Sequence, residues 1–355
     1  MKTSEKQYEI GSDFHWVGIC PGTCLDWPSP YRLFTSGRAT FLFVWQFLQN
    51  NATNTLFVPG YFCAEVVTWW EKQGIVIQRY TDGPHMSSPE WETLSVSPGD
   101  AVLAVNYFGV RGRTIWDGWR NSNKDTLLIE DHSHDPLSGW AYHSQADYAF
   151  ASLRKTFPAP DGAILWSPKG LPLPDEPLKG DWSGSALKLA AMVIKKDYLE
   201  GAGEHLKDIF REFQGKGESM FGETENSAVS PWSRFLLASG YPVAWREQRE
   251  KNVKTLLALI STHPTIKPLF TEWPDNNCPF NIVLLFTSND ARNQCRSRLI
   301  SAGVYPSVHW ELNCAAPSEA LALSSRIMTI PVDQRYGEED MKRIASILLK
   351  RSDNG

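Results

Sequence analysis

The sequence predicts an α/β protein: a large domain with a mainly parallel sheet covered by helices, followed by a smaller C-terminal α/β domain. Short apolar runs alternate with helical segments between residues 55 and 167, and this alternation is typical of a parallel sheet with helices on both faces. A length of 355 residues also exceeds one ordinary domain. Because the helical pattern breaks near Gly240-Tyr241-Pro242, we predict an N-terminal arm over residues 1–33, a large domain over 34–240 and a small domain over 241–355.

The composition is that of an ordinary globular protein. Hydrophobic residues make up 42% of the sequence and charged residues 21%, as in most soluble domains. A net charge of −5 and a pI near 5.9, without a block rich in Lys and Arg, argue against nucleic-acid binding. No apolar run approaches the length of a membrane span. We therefore expect neither a nucleic acid nor a membrane as partner, and we expect most of the 15 tryptophans in a core.

The cysteines and the first residues favour a cytoplasmic protein. Of the six cysteines, only Cys20 and Cys24 lie close together in sequence, and no second close pair completes a zinc site. Residues 1–16 contain no apolar segment of the kind found in secretory signal peptides. We therefore expect a cytoplasmic protein with reduced thiols.

The individual elements follow from local patterns. Residues 1–33 show no periodicity, so we expect an irregular arm. Strands are predicted where short apolar runs end at Gly, Pro or polar residues, at 55–62, 75–80, 100–106, 127–131, 146–151, 163–167, 281–286 and 327–331. Helices are predicted where apolar residues recur at helical spacing, at 41–51, 63–73, 114–124, 184–215, 231–261, 288–302 and 338–350. Polar connections are expected at 84–99 and 217–226.

Ser36-Gly37 marks the start of the first helix. The two residues directly precede the apolar helical run FLFVWQFLQNN, and serine and glycine are common where helices begin. The unpaired N–H groups of a helix N-terminus also bind anions readily. Both a simple helix cap and an anion site are compatible with this pattern.

Two strand ends carry the residues with the clearest chemistry. The run Leu127-Leu128-Ile129 ends in Glu130-Asp131, and the run 146–151 leads into Ser152 and Lys155. Ligands of parallel sheets bind just beyond such strand ends. A lysine amine that forms a Schiff base and a carboxylate that keeps a pyridine nitrogen protonated are the two groups that a pyridoxal phosphate enzyme requires. The alternative is that Asp131 only caps a helix or forms a salt bridge.

A metal-dependent hydrolase is a competing interpretation of the same region. Asp131-His132-Ser133-His134-Asp135 places two histidines and two carboxylates within five residues, and these are common metal ligands. In an extended strand, His132 and His134 would share one face. The interpretation gives Lys155 no role.

Several motifs, in this order and at this spacing, resemble those of the DegT-type sugar aminotransferases, which are pyridoxal-phosphate-dependent enzymes with the type I aminotransferase fold. The resemblance runs from about residue 36 to residue 350 and rests on Ser36-Gly37-Arg38-Ala39, Val58-Pro59-Gly60-Tyr61-Phe62, Ala104–Gly109, Ile129-Glu130-Asp131, Ser152-Leu153-Arg154-Lys155, Asp161-Gly162, Asn226, Ala302–Trp310 and Ile330-Pro331-Val332. It implies a homodimer with its active sites at the interface.

The resemblance also implies roles for individual residues. Lys155 corresponds to the Schiff-base lysine, and Asp131 to the acid that holds the pyridine nitrogen. The other residues implied to bind the cofactor are Ser36, Gly37, Arg38, Phe62, His134, Ser152 and Asn226, with Phe62 stacking on the ring and Asn226 reaching the cofactor phosphate of the neighbouring subunit. Candidates for contact with substrate are Tyr107, Phe108, Arg154 and His309. For Arg154 a salt bridge is the alternative, and for His309 a purely packing role.

The implied reaction transfers an amino group from an amino donor, glutamate in many members of the family, to a keto or aldehyde group such as that of a sugar or nucleotide sugar. A lyase, a decarboxylase or a non-catalytic cofactor-binding protein on the same fold is the alternative. This sequence departs from the family pattern at three positions. His134 replaces the usual glutamine, Phe150 replaces a serine, and Ala163 replaces a glycine.

Overall fold

The computed structural model describes residues 7–18, 24–49, 54–223, 228–239, 241–261 and 266–350. Its strands are β1 (Ile10–Gly11), β2 (Cys24–Leu25), β3 (Tyr31–Phe34), β4 (Leu56–Pro59), β5 (Ile77–Tyr80), β6 (Ala101–Val105), β7 (Leu127–Asp131), β8 (Tyr148–Ser152), β9 (Ala163–Trp166), β10 (Tyr241–Pro242), β11 (Lys267–Pro268), β12 (Ile282–Leu285), β13 (Val304–Tyr305) and β14 (Ile327–Ile330). Its α-helices are α1 (Gly37–Gln49), α2 (Ala64–Lys72), α3 (Thr114–Ser122), α4 (Gly139–Tyr142), α5 (Ser183–Leu199), α6 (Leu206–Glu223), α7 (Pro231–Ala238), α8 (Val243–Ile260), α9 (Asn289–Ser301), α10 (Ser318–Arg326) and α11 (Glu338–Leu348).

A seven-stranded sheet forms the centre of the large domain, with the strand order β3-β9-β8-β7-β6-β4-β5. Only β9 runs against its neighbours, since it pairs antiparallel with both β3 and β8 while the other pairs are parallel. Asp131 pairs with Val105 on one side and with Phe150 on the other. The carboxyl ends of β6, β7 and β8 therefore meet at one edge, and the predicted mainly parallel sheet is confirmed.

The sheet is buried on both faces. Every residue of β4, β6, β8 and β9 is buried, as expected for strands covered by helices on both sides. Helix α1 packs against the sheet through the aromatic face that includes Phe41 and Trp45, and the ring centroid of Phe41 lies 4.2 Å from that of Trp70 on α2. This aromatic layer fixes the N-terminus of α1 over the end of β8.

The small domain is an antiparallel sheet covered by helices. Its strands lie in the order β11-β12-β14, and α8, α9 and α11 contribute the buried residues Val253, Leu256, Leu299, Met341 and Ile344 to its core. The predicted strands 281–286 and 327–331 and the predicted helices 288–302 and 338–350 are present within two residues of their expected ends. Helix α10 and the two-residue strand β11 were not predicted.

The N-terminal arm is more ordered than its sequence suggested. Strand β1 pairs in parallel with β13 of the small domain, with Ile10 beside Val304, whereas β3 forms the edge of the large sheet. We call residues Glu9–Phe14 the N-terminal strap. The strap pairs with the small domain through β1, and Lys188 and Lys195 of α5 bind its residues Ser12 and Asp13, so it connects the small domain with α5.

The region after residue 199 differs from the prediction. We expected one helix over 184–215 and a polar loop over 217–226, but α5 and α6 form a hairpin and α6 continues to Glu223. A Cβ atom at Gly217 would lie 2.7 Å from the Gly184 carbonyl oxygen and 2.6 Å from Cγ of Lys188. Glycine at 217 thus permits the two helices to approach closely, which outweighs its unfavourable helix propensity.

Two further findings concern the chain as a whole. Within the ranges given above, no helix has the length and apolar character needed to cross a membrane. The thiols of Cys63, Cys278, Cys295 and Cys314 are free. Cys20 and the side chain of Cys24, which formed the close pair in the sequence, lie outside the described residues.

Candidate active site

The ends of β7 and β8 bring Asp131 and Lys155 together. Asp131 is the last residue of β7, and a single 3₁₀ turn, Leu153–Lys155, follows β8 directly. The Ser133 N–H donates to Oδ1 of Asp131 over 2.8 Å, and Oγ of Ser133 accepts from the Ser152 N–H over 2.9 Å. Ser133 therefore ties the two strand ends together. No described residue donates a hydrogen bond to Oδ2 of Asp131.

The predicted anion-binding turn lies against the end of β8. Ser36 caps α1, since its Oγ accepts from the Ala39 N–H at 3.3 Å. A Cβ atom at Gly37 would lie only 3.3 Å from Cβ of Ser152. The N-terminus of a 13-residue helix, two serines and the half-buried Arg38 thus surround one point. The structure shows the helix cap, and helix N-termini with free N–H groups bind phosphates and carboxylates, so an anion site at this turn stays a prediction.

Lys155 lies in an aromatic corner of the site. Its Nζ is 3.5 Å from Nε2 of His134 and 5.6 Å from the ring centroid of Trp310. Desolvation lowers the pKa of Lys155, although the nearby Asp131 and Cys63 partly oppose that shift. A lysine with a lowered pKa is unprotonated more often, and the neutral amine is the form that attacks a carbonyl carbon.

His134 is a neutral side chain held by ring stacking. Its ring is nearly parallel to those of Phe108 and Phe280, with centroid distances of 5.2 and 4.8 Å. The Phe108 N–H donates to Nδ1 of His134 over 3.0 Å, and burial keeps the pKa of His134 well below its usual value. Because Nδ1 accepts, the proton of the neutral ring is on Nε2, where it points to the Lys155 amine.

His309 has the opposite tautomer. Its Nδ1 lies 2.9 Å from Oγ1 of Thr329, and this hydroxyl already donates its hydrogen to the Ser307 carbonyl. Oγ1 must therefore accept from His309, so Nδ1 carries the proton and Nε2 is a free acceptor. Burial, with Lys155 nearby, lowers the pKa of His309 to about 3. The two histidines thus present a donor and an acceptor close to one lysine.

Lys155 and His309 line a cavity of about 610 Å³ between the large domain, the small domain and the strap. Its size is that of a site for a small molecule. Arg154 also lines this cavity, where its guanidinium forms a two-pronged ion pair with Glu218 of α6, and its Nη2 lies 2.7 Å from Oε1. Of the two interpretations of Arg154, the structure shows the salt bridge.

Phe62 and Tyr107 are among the predicted residues that do not line this cavity. Phe62 is buried against Trp70 and Trp310, with ring centroids 5.7 Å apart in both pairs. Tyr107 is fully buried and its hydroxyl donates to the Tyr61 carbonyl over 2.6 Å. Both are part of the buried core of the large domain. Asn226 lies outside the described residues.

The structure also adds residues that sequence reasoning missed. Phe280 and Trp310 stack on His134, and Lys188 and Glu218 line the cavity. Trp310 directly follows His309 in the segment Ala302–Trp310, which is part of the family resemblance described above. Its position near the site could therefore have been predicted. Phe280 comes just before a strand of the small domain and shows no local signal.

The histidine cluster does not form a metal site. Strand β7 ends at Asp131, so His132 and His134 do not share a strand face as the hydrolase interpretation required. His132 is fully buried between Trp140 and Trp166, with Nε2 2.8 Å from Oε2 of Glu130. In the part of the chain that the structure describes, no three His, Cys, Asp or Glu side chains are placed to hold a metal ion.

Comparison with known proteins identifies the fold. No protein-family model matches the sequence, and no curated protein matches it. Solved structures do match. Sugar aminotransferase CalS13 from Micromonospora echinospora is 13% identical, with a TM-score of 0.57 over 90% of this chain and 86% of that one. Spr1654 from Streptococcus pneumoniae, a proposed sugar aminotransferase solved in its PLP form, is 12% identical, with a TM-score of 0.58 over 90% and 86% of the two chains.

A DegT/DnrJ/EryC1/StrS aminotransferase from Brucella abortus is 15% identical, with a TM-score of 0.56 over 90% of this chain and 85% of that chain. Each of the three structures matches 90% of this chain. The chain therefore has the fold of these aminotransferases, which confirms the fold class predicted from the sequence.

Proposed function

We propose that this chain, which has the fold of sugar aminotransferases, is a divergent pyridoxal-phosphate-dependent aminotransferase of the DegT type. The observation that carries the proposal is the position of Lys155. Its amine is desolvated, lies at the end of β8 beside the carboxylate that ends β7, and opens onto a cavity between the domains. A reactive lysine and an acid at adjacent strand ends are the groups that this cofactor needs.

The residues present fit the cofactor. The N-terminus of α1, Ser36 and Ser152 supply donors for its phosphate, and Gly37 leaves room where a Cβ atom would meet Ser152 at 3.3 Å. Oδ2 of Asp131 has no donor among the described residues and so remains available to a protonated pyridine nitrogen. The amine of Lys155 is available to the aldehyde.

In the proposed reaction the bound cofactor supplies an electron sink. Lys155 first binds the cofactor and then, once released, carries the proton between the reacting carbons as the nearest base. The Nε2–H of His134 donates to the lone pair of the Lys155 amine, which orients the amine and keeps it neutral. The stacked rings of Phe108, His134 and Phe280 exclude water from the amine, so its pKa stays low.

The proposal extends to substrates and assembly. We infer that glutamate is the amino donor and that the acceptor is a keto or aldehyde group of a sugar-like molecule in a biosynthetic pathway. The structural neighbours support the sugar-like acceptor, since they include DesI with its TDP-sugar product. We also propose a cytoplasmic homodimer in which Asn226 of each chain reaches the neighbouring cofactor, as the sequence resemblance implies.

The decisive experiment is the visible spectrum of the protein with added pyridoxal phosphate, for wild type and Lys155→Ala, followed by borohydride reduction and peptide mapping. We expect a yellow band that is absent in the variant, with the reduced cofactor on the peptide that carries Lys155. Lys195 is an internal control, because it too is buried and its pKa is lowered to about 8. Cofactor on the Lys195 peptide, or a colourless wild type, would refute the proposal.

A second measurement separates amine transfer from other reactions on the same fold. Loaded enzyme is incubated with glutamate alone, and 2-oxoglutarate is measured. A yield of one equivalent per active site is expected for an aminotransferase, because without an acceptor each site can release the keto acid only once. Loss of carbon dioxide, or product without a keto acid, would instead identify a decarboxylase or a lyase.

A further inference from the structure

The cations of the cavity are already paired within the chain. Arg154 binds Glu218 through both terminal nitrogens, and Lys188 lies 2.7 Å from Glu218 and 3.3 Å from Asp13 of the strap. The pKa values of both carboxyls are lowered by these cations, so they stay ionised near neutral pH. A substrate phosphate would therefore have to displace a carboxylate to bind Arg154 or Lys188.

Arg335 is paired in the same way. Its Nε and Nη2 lie 2.8 and 2.9 Å from the carboxylate oxygens of Asp333, and its guanidinium also holds the carbonyl groups of Ser12 and Asp13 in the strap. Arg335 is thus a structural clamp between the small domain and the strap. It has little capacity left for a ligand.

Arg211 is the exception. It lines the cavity from α6, and no described residue pairs with its guanidinium. Apart from Lys155, which is the reactive amine, four cations and three carboxylates line the cavity. The described lining therefore offers one unbalanced positive charge, on Arg211.

A smaller compartment of about 250 Å³ adjoins Arg211, and its lining includes Glu9 and Gln214. Oε2 of Glu9 and Nε2 of Gln214 are buried without a hydrogen-bond partner among the residues that the structure describes. The side chain of Glu9 is only 4% exposed, and its other oxygen lies 3.8 Å from Lys195. Buried polar atoms usually have partners, so a carboxylate oxygen and an amide N–H without them indicate a place for a ligand.

The two compartments form one continuous site. Both are lined by Ser12, Asp13, Arg211, Gln214 and Tyr305. Arg211 and Gln214 lie three residues apart on α6, so they project from one face of the helix, and the strap supplies Glu9 opposite them. A ligand that enters above Lys155 can therefore extend past Arg211 toward Glu9.

We propose that Glu9, Arg211 and Gln214 form a recognition subsite for the end of the acceptor that is remote from its reacting carbonyl. A carboxylate matches the fork of Arg211 and the N–H of Gln214, and a hydroxyl that donates matches Oε2 of Glu9. The acceptor class is then a compact polyhydroxy carbonyl compound with one negative charge. A sugar attached to a nucleoside diphosphate brings at least two negative charges, whereas the two compartments together, with Lys207 and Glu9 included and Lys155 left aside, have an excess of one positive charge.

This inference rests on the proposed function, because only an aminotransferase has an acceptor substrate. Its test measures binding and does not require turnover. Calorimetric titration measures the binding of D-glucuronate, a singly charged sugar acid, and of UDP-glucose, a diphosphate-linked sugar. The protein is wild type, Arg211→Gln, Gln214→Leu or Glu9→Gln. Lys216→Gln is the matched control, because Lys216 is an exposed cation of the same helix that pairs with Glu212.

We expect glucuronate to bind more tightly than UDP-glucose. Arg211→Gln should weaken glucuronate binding by about tenfold or more, as the loss of a charge-assisted pair predicts. Gln214→Leu and Glu9→Gln should each weaken it by about threefold to tenfold, and Lys216→Gln should leave it unchanged. Circular dichroism of each variant shows that the fold is intact.

Two results would overturn the subsite. One is tighter binding of UDP-glucose that is lost in Arg154→Gln or Lys188→Gln. The other is glucuronate binding that is absent in wild type or equal in wild type and Arg211→Gln. Failure of the proposed function is distinguished by a separate measurement. In that case the visible band of the cofactor is missing, whether or not glucuronate binds.

Discussion

Two buried lysines of the large domain, Lys155 and Lys195, differ in how many hydrogen bonds their amines make. Lys195 on α5 is 1% exposed, and its Nζ donates to Oγ of Ser12 and to the Asp13 carbonyl, each over 2.7 Å. Among the described residues, the amine of Lys155 has one hydrogen-bond partner, the neutral His134 at 3.5 Å. Burial lowers the pKa of both amines.

The difference lies in what the amine is free to do. Lys195 uses its hydrogens to bind the strap, so moving it would leave buried oxygens without donors. Lys155 is surrounded by aromatic rings that desolvate it and give it few hydrogen bonds. A lowered pKa does not distinguish the two amines, whereas the shortage of hydrogen-bond partners does, and it is what the proposed Schiff-base role of Lys155 requires.

The largest effect on activity is expected when Lys155 is replaced by arginine. Arginine keeps the positive charge but does not lose its proton at usable pH and cannot form the Schiff base. We expect amine transfer from glutamate to fall by about 10³-fold or more. Lys169→Arg serves as the control, because Lys169 is a partly exposed lysine paired with Asp147. A variant within tenfold of wild type would remove Lys155 from the mechanism.

The next test removes the hydrogen bonds between Lys195 and the strap. Lys195→Met fills similar volume but leaves Oγ of Ser12 and two strap carbonyls without this donor. We expect the free energy of unfolding to fall by about 2 kcal/mol, measured by urea denaturation at pH 7, and the strap to become open to protease. The cofactor should still attach to Lys155. Unchanged stability would mean that the strap does not depend on Lys195.

The pH dependence of the free energy of unfolding tests the lowered pKa of Lys195. The pKa of Lys195 is about 8 in the folded protein against 10.5 ordinarily, so between these values the unfolded chain binds more protons than the folded one. Wild type is then stabilised as pH rises, whereas the methionine side chain of the Lys195→Met variant cannot titrate. The stability gap between wild type and this variant should widen by about 1 kcal/mol from pH 8 to pH 9. A gap that narrows would show that the folded pKa of Lys195 is not depressed.

The smallest expected effect concerns the histidines beside Lys155. Burial lowers the pKa of His309 to about 3 and that of His134 well below its ordinary value. Neither ring should gain a proton between pH 6 and pH 7. The rate of amine transfer, measured across that range, should therefore show no step with the shape of a histidine titration. A clear step that disappears in His134→Gln would assign the titration to His134.

The large domain was predictable because its signals are local. The run Leu127–Asp131 is a buried strand that ends in an acid, and Ser36-Gly37 is a helix start, so both positions follow from neighbouring residues. The parallel sheet then brings their ends together. Lys155 follows β8 by three residues, which places it at the same edge without knowledge of any distant contact.

The rest of the site depends on contacts between residues far apart in sequence. Phe280 reaches His134 from the small domain, and Arg335 reaches the strap across more than 300 residues. Helix α6 continues through Gly217, where the sequence suggested the start of a polar loop, because packing against α5 requires a small residue at 217. Arg211 and Gln214 become a subsite only once that packing has formed.

The pairing of β1 with β13 also sets the order in which the molecule can be completed. Ile10 lies beside Val304 in the finished protein, yet a ribosome releases the first of these residues long before the second. At ordinary rates of synthesis the delay is about 15 to 60 s. The large sheet can assemble during that time, but the strap that lines the cavity has no partner strand. Newly made chains should therefore acquire their ligand-binding shape only after nearly all of the sequence has emerged.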